Sequence, residues 1–278
     1  LVDVIDKCSS PMGARLLRQW LAMPIMDIAE LDRRYDVVEW FRNNPDSLAA
    51  VQNHMSEVRG LERIISRVAA GKALPRELRQ LSVSLAQMSP IAELCSSSDS
   101  QSVRDAVKGM HDCNPVMERI TSTLACEPAA AIGKGDVIAA GVDKELDELR
   151  DISRGGKDYL IRMQQRETER TGISSLKISY NNVFGYYIEV RNTFRDQVPP
   201  EWVRKQTLVN AERYITQELK DYEEKILTAE GSIYEIESRI YAALVADIQK
   251  CIRDIQENCR VVSRLDVLQG FARQALDR

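Results

Sequence analysis

The sequence has only two histidines in 278 residues, His54 and His111, and they stand too far apart in the chain for metal-ligand spacing. Its six cysteines, Cys8, Cys95, Cys113, Cys126, Cys251 and Cys259, are scattered and include no C-x-x-C pair. That distribution speaks against a zinc site or a disulfide framework and for a reduced, cytoplasmic compartment. No G-x-x-x-x-G-K-[ST] occurs. Gly71-Lys72 and Gly133-Lys134-Gly135 lack its spacing and the preceding strand, so both read as loop glycines. Acidic groups such as Asp221 with Glu223 and Glu224 fall in a helical stretch that needs a solvated face. No nucleophile and base pattern stands out, so the residues predict no catalytic, cofactor or metal site.

Long apolar runs are missing as well. Charges interrupt every candidate before the roughly 18–20 residues a membrane helix requires, and no signal-peptide core stands at the start. The expectation is a soluble protein without membrane contact. The chain opens at Leu1 without an initiator Met and ends within a helical pattern, which suggests a piece of something larger.

At 44% hydrophobic and 29% charged residues the chain can bury a substantial core. A net charge of −4 excludes a protein coated in basic charge, although a local basic patch remains compatible with an anionic partner.

Helical signals dominate. Ser10-Pro11 reads as an N-cap followed by Pro at the first helical position. Asp27 caps a helix to about Arg42, and Asn43-Asn44-Pro45-Asp46 stops it and starts the next. Leu61 to Val68, Pro75 to Met88, Ile91 to Cys95 and Pro115 to Leu124 continue the theme, with Ser89-Pro90 and Ser96 to Ser100 as punctuation. A longer helix is expected from Val142 to about Arg170, with a kink or short break at Gly155-Gly156, since each glycine costs about 1 kcal/mol against alanine. Close packing of helices is the other reason for those glycines. From Gln217 onward there is no proline. Apolar residues step by threes and fours from Leu219 to Leu265, and a helix over the first half of that stretch would be about 50 Å long.

Between the two long helices lies an island of different character. In SSLKISYNNVFGYYIEVRN, residues 174–192, Leu176, Ile178 and Tyr180 alternate with polar residues. Asn181-Asn182 and Gly185 then break the run before it resumes, which is a hairpin signature. A third strand is expected at Lys205 to Asn210. Two strands alone are marginal in water, so the island needs more sheet or helix to pack on. Pairing the helix of Leu146, Leu149, Ile152, Tyr159 and Met163 with the returning helix gives an antiparallel stalk with a small sheet at its end. From Lys177 to Arg213 there are six basic residues (Lys177, Arg191, Arg195, Arg204, Lys205, Arg213) against four acids (Glu189, Asp196, Glu201, Glu212). Asn181, Asn182, Gln206, Thr207 and Asn210 are mixed among them, and side chains of these types position a protein on phosphate oxygens. An ordinary solvated sheet accounts for the same composition.

RTGISSLKISYNNVFGYYIEV (Arg170 to Val190) and VRKQTLVNAERYITQELKDYEEKI (Val203 to Ile226) closely resemble the clamp region of the MutS family of bacterial DNA mismatch repair proteins. SPMGARLLRQWLAMPIMD (Ser10 to Asp27), with Ile28 to Val38, is similar to the start of that family's core, or lever, domain. The resemblance implies a mainly α fold: a multi-helical core/lever domain, long antiparallel helical arms, and a small inserted antiparallel β clamp domain. The implied boundaries are residues 1–165 for the first part of the core, 166–215 for the clamp and 216–278 for a returning long helix. Neither the family's Phe-x-Glu nor a Walker A is present, so mismatch reading and ATP hydrolysis are not expected of these residues. ATP and Mg belong to the family's ATPase domain.

The resemblance further implies double-stranded DNA as partner, a homodimer, MutL downstream, and a cytoplasmic, nucleoid-associated location. Backbone contacts would come from Lys177, Lys205, Gln206, Thr207 and Asn210, then Arg204 and Arg213. The levers would relay state from the ATPase to the clamp, with Gly155-Gly156 and Gly231 as candidate hinges. The alternative from another class is a helical scaffold whose sheet docks a protein.

Overall fold

A computed structural model describes residues 1–277. In chain order the helices are α1 (Val2–Ile5), α2 (Pro11–Ala22), α3 (Ile28–Asn43), α4 (Pro45–Ser56), α5 (Leu61–Ala69), α6 (Pro75–Leu85), α7 (Met88–Ser96), α8 (Gln101–Val107), α9 (Asn114–Thr123) and α10 (Lys144–Thr171). Then come β1 (Lys177–Asn181), β2 (Gly185–Arg191), a 3-10 turn at Asn192–Gln197, β3 (Val203–Thr207) and β4 (Ala211–Ile215). Helices α11 (Gln217–Lys250) and α12 (Ile252–Leu276) complete the chain. It divides into two compact units, one holding Leu1–Ala139 and the residues from Ile240 onward, the other Ala140–Arg239.

The first unit is built around α12, against which α2, α3, α4 and α5 pack. Its interior is apolar at Ile255, Val262, Leu265 and Leu268, yet Asn258, Asp266 and Gln269 are buried with them. Each buried polar group has partners, as it must in a low-dielectric interior. Asn258 exchanges hydrogen bonds with the His111 backbone, accepting from its N–H at 2.7 Å and donating to its carbonyl at 2.9 Å. The Asp266 carboxylate accepts from the Ser9 N–H (2.7 Å), the Ser10 N–H (2.8 Å), the Ser10 hydroxyl (2.6 Å) and the Gln269 amide (2.7 Å). Ser10 in turn accepts from the Gly13 N–H at 3.1 Å, so it is the N-cap its sequence announces, with Pro11 at the first helical position. A Cβ on Gly13 would run into the Asp266 carboxylate.

Two expectations about this unit are corrected. Ser89-Pro90 does not interrupt the helices; it lies in the first turn of α7, where proline has no ladder bond to lose. The returning helix is not continuous to its end either. Cys251, at φ −101° and ψ 4°, separates α11 from α12, and its N–H bonds the Ile248 carbonyl at 3.0 Å in a tightened turn. No proline or glycine marks the place, and α12 beyond it buries Ile255, Cys259, Val262 and Leu265 while leaving Arg253, Gln256, Arg260 and Arg264 exposed.

In the second unit Asp143 caps α10 by accepting from the Leu146 N–H at 2.9 Å, and Gly172 at φ 72° ends it. The break expected at Gly155-Gly156 is absent: α10 runs unbroken for 28 residues. A Cβ on Gly156 would meet the Tyr222 hydroxyl and Ile226, so this glycine admits α11 to close range, whereas Gly155 faces open space. α11 likewise runs straight through Gly231. Within this unit α10 and the first part of α11 are antiparallel. Asp143 lies near Arg239 (3.9 Å) at one end, and the Tyr159 and Tyr222 rings stack at 4.9 Å toward the other. The seam differs from the expected one: Leu146 and Met163 are buried, but Ile152 is 54% exposed, and the buried neighbour on that turn is Arg150, paired with Glu237.

The four strands form one antiparallel sheet in the order β1-β2-β4-β3. The β1-β2 hairpin stands where its alternation places it. The third strand begins two residues earlier than expected, at Val203, and Leu208 to Asn210 form a turn closed by the Leu208 N–H on the Ala211 carbonyl at 2.8 Å. The chain then adds a fourth strand, Ala211–Ile215, that the residue pattern does not announce; its central position in the sheet, not its propensity, makes it a strand. One face packs on Met163, Ile173, Leu176, Trp202 and Leu219, contributing Ile188, Val190 and Tyr214. At the β1 edge, Gln164 of α10 accepts the Ile178 N–H at 2.9 Å.

Candidate nucleic-acid interface

Because Ile188 and Val190 of β2 point into the core, Tyr187, Glu189 and Arg191 point to the other, outer face. Register carries that face across the sheet: Lys177 of β1 lies opposite Glu189, Glu189 opposite Arg213 of β4, and Arg213 opposite Gln206 of β3. Arg213 is fixed on three sides. Its Nε donates to Glu189 at 3.0 Å, its Nη1 donates to Gln206 at 2.9 Å, and its guanidinium lies 4.4 Å over the Tyr187 ring. Lys177 is exposed and, among the described residues, has no ion-pair partner.

Between Arg204 and Gln206 the β3-β4 register shifts, which leaves Lys205 as the extra residue of a bulge on an edge strand. Bulges re-aim side chains at sheet edges. Lys205 is exposed and, among the described residues, also without an ion-pair partner. Edge lysines commonly serve to discourage strand addition, a role that does not conflict with meeting an anion.

The remaining sequence candidates do not share this row. Arg204 and Thr207 sit opposite Tyr214 and Glu212, on the core side of the sheet. Arg204 donates to Glu212 at 3.2 Å, and Arg195 approaches the same carboxylate at 3.6 Å. The Tyr214 hydroxyl also donates to Glu212. That bond, against the opposing effect of burial, and the two guanidiniums hold the Glu212 carboxyl below its ordinary range, while burial and the same bond push the Tyr214 phenol up to about 12. Asn210 lies in the β3-β4 turn with its side chain exposed, and its carbonyl accepts from the Asn192 N–H at 3.1 Å.

Sequence reading counted Arg191 in the local charge but not among the contact residues. It is exposed on the outer face beside Asn192, opposite Ala211, and among the described residues lacks an ion-pair partner. The signal that places it was available in the period-two alternation from Tyr187 through Glu189. The outer face therefore offers Lys177 and Arg191, without ion-pair partners among the described residues, around an immobilised Arg213, with Lys205 exposed at the bulged edge and amide and hydroxyl groups at Gln206, Asn181 and Ser179. Such a surface presents positive charge and hydrogen-bond donors of the kind that pair with anionic oxygens. No cluster of three or more metal-ligating side chains suited to an ion occurs among the described residues, and none of their helices is long and apolar enough to cross a membrane.

A family model described as MutS domain III matches residues 1–272. The DNA mismatch repair protein MutS of Flavobacterium psychrophilum is 50% identical over 277 residues, covering 100% of this chain and 32% of that protein. The protein of the same name from Porphyromonas gingivalis is 48% identical over 275 residues, 99% of this chain and 31% of that protein. The one from Bacteroides fragilis is 50% identical over 275 residues, 99% of this chain and 32% of that protein. The chain thus spans about a third of the length of the curated relatives it matches.

Proposed function

Since this chain belongs to the MutS domain III family, we propose that it is the core and clamp portion of a mismatch repair protein, whose small sheet grips the sugar-phosphate backbone of duplex DNA. The observation that carries the proposal is the outer face of the sheet: Lys177 and Arg191 on it and Lys205 at its bulged edge, unpaired among the described residues, surround Arg213, while Ile188, Val190 and Tyr214 on the opposite face pack into the core. Contacts of this kind fix a protein on the duplex without reading bases. Affinity is then independent of sequence and falls with salt, each phosphate contact contributing about −0.9 to the slope of log K against log salt.

In this reading the paired helices α10 and α11 act as levers that couple the sheet to an ATPase domain, where ATP and Mg are bound. Gly155, Gly156 and Gly231 lie inside unbroken helix, which favours levers that move as semi-rigid pieces. A second copy of the protein closes the grip around the duplex, MutL receives the signal, and the complex works in the cytoplasm at the nucleoid. Family membership and the mismatch repair relatives support the setting of DNA repair in which these steps are proposed.

The test uses the full-length protein carrying this chain. Lys177→Glu with Lys205→Glu should weaken binding to matched and mismatched duplexes by similar factors and flatten the salt dependence, read by fluorescence anisotropy. A loss confined to mismatched DNA would mean that these residues read the lesion. Unchanged binding to both, with capture of a protein by the sheet, would favour the scaffold.

A further inference from the structure

Glu189 stands out as the one carboxylate that strand register puts on the outer face of the sheet. It lies between Lys177 and Arg213, opposite one in β1 and opposite the other in β4, and accepts the Arg213 Nε at 3.0 Å. A surface meant only to hold phosphate as tightly as possible would not carry an anion at its centre. The pair is also partly shielded, with side-chain exposures of 18% for Arg213 and 33% for Glu189, so its attraction is screened less than that of a surface pair.

We propose that Glu189 limits the grip of this face on DNA. It offsets the charge of Arg213 and repels an approaching phosphate, so the sheet holds the duplex with its peripheral cations alone and can release and shift along it. This inference rests on the reading of the outer face as a backbone-contacting surface. Two of the three supports of Arg213 are independent of the charge at 189: the Gln206 Oε1 accepts from Nη1 at 2.9 Å, and the guanidinium lies 4.4 Å over the Tyr187 ring. Glutamine at 189 retains a carbonyl oxygen to accept from Nε.

Glu189→Gln (E189Q) in the full-length protein is therefore expected to tighten binding to matched and mismatched duplexes alike, by about five- to tenfold near 0.1 M salt, and to steepen the salt slope by about 0.9, the increment of one phosphate contact. Adding Arg213→Gln to E189Q should remove the gain. Circular dichroism of E189Q checks that the fold is kept. Unchanged or weaker binding by a folded E189Q overturns the inference, because a carboxylate that merely scaffolds Arg213 gives that result. A gain that survives Arg213→Gln overturns the part assigned to Arg213. The two readings separate cleanly. If Lys177→Glu with Lys205→Glu leaves duplex binding intact, the outer face is not the contact surface and both fall. If that pair weakens binding but E189Q does not tighten it, only the role of Glu189 falls.

Discussion

Arg150 of α10 donates through Nη2 to Glu237 of α11 at 2.7 Å, with 5% and 1% of the two side chains exposed. Removing both ions from water costs several kcal/mol each, which their mutual attraction offsets, with Asp147 also 3.5 Å from the Arg150 guanidinium. Arg150→Ala should therefore destabilise the chain by about 3–5 kcal/mol, whereas Arg150→Met with Glu237→Leu should cost far less. Urea unfolding of the three proteins decides it; equal losses for the single and the double variant would show that packing volume, not the loss of the buried ion pair, sets the cost.

The two adjacent glycines of α10 should respond in opposite directions. Gly155→Ala enters open space and should stabilise by up to about 1 kcal/mol, the difference in helix propensity. Gly156→Ala drives a methyl group into Tyr222 and Ile226 and should lower the melting temperature. A rise in melting temperature for both would mean that α11 can step aside.

Gly13 and Asp266 form a coupled site in the first unit. Gly13→Ala should destabilise because the Asp266 carboxylate cannot retreat without losing its bonds to Ser9 and Ser10. Asp266→Ala leaves those donors unpaired at a cost of about 1–3 kcal/mol for each buried group. In the Asp266→Ala background the further cost of Gly13→Ala should shrink, and a thermal-denaturation cycle would measure that coupling. Strict additivity would contradict it.

Acid should loosen the sheet through Glu212. Its carboxyl titrates lower in the folded chain than in the unfolded one, chiefly through the Tyr214 hydroxyl and then Arg195 and Arg204. The stabilisation is thus fully present above the unfolded value near 4.5 and is lost as pH falls through the lower folded value. Glu212→Gln should flatten this acid limb when stability is followed from about pH 6 to pH 3. An acid limb as steep as that of the parent would assign the loss to other carboxylates.

The two sides of the sheet should behave differently toward DNA. Arg191→Glu, on the outer face, should weaken duplex binding and reduce the magnitude of the salt slope by at least about 0.9. Arg204→Gln, tied to Glu212 on the core side, should change binding little. The reverse ranking would move the contact surface to the other side.

Much of this was legible in the residues. The Ser10-Pro11 and Asp27 caps, the β1-β2 hairpin and the antiparallel pairing of the two long helices follow from local chemistry and periodicity, and the structure contains them. Features set by distant partners were not legible. β4 opens with Ala211, Glu212 and Arg213, which have weak strand preference, leaving only Tyr214 and Ile215 as a signal too short to read, and it is completed by hydrogen bonds to two neighbours. The break at Cys251 has no local signal, and the glycines of α10 looked like breakers because Tyr222, which packs against one of them, lies far along the chain. Of the candidate contact residues, the alternation of β2 could have separated the two sides of the sheet, but the bulge at Lys205 shifts the register of β3, and only coordinates reveal which of its residues share a side with Arg213.

The β1 edge of the sheet gives its Ile178 amide to Gln164, and the β3 edge is broken by a bulge at Lys205. Neither border is a smooth template for another strand. Copies crowded together can therefore jostle side by side without zipping into fibrils, so a surface proposed to be sticky toward phosphate stays inert toward its own kind.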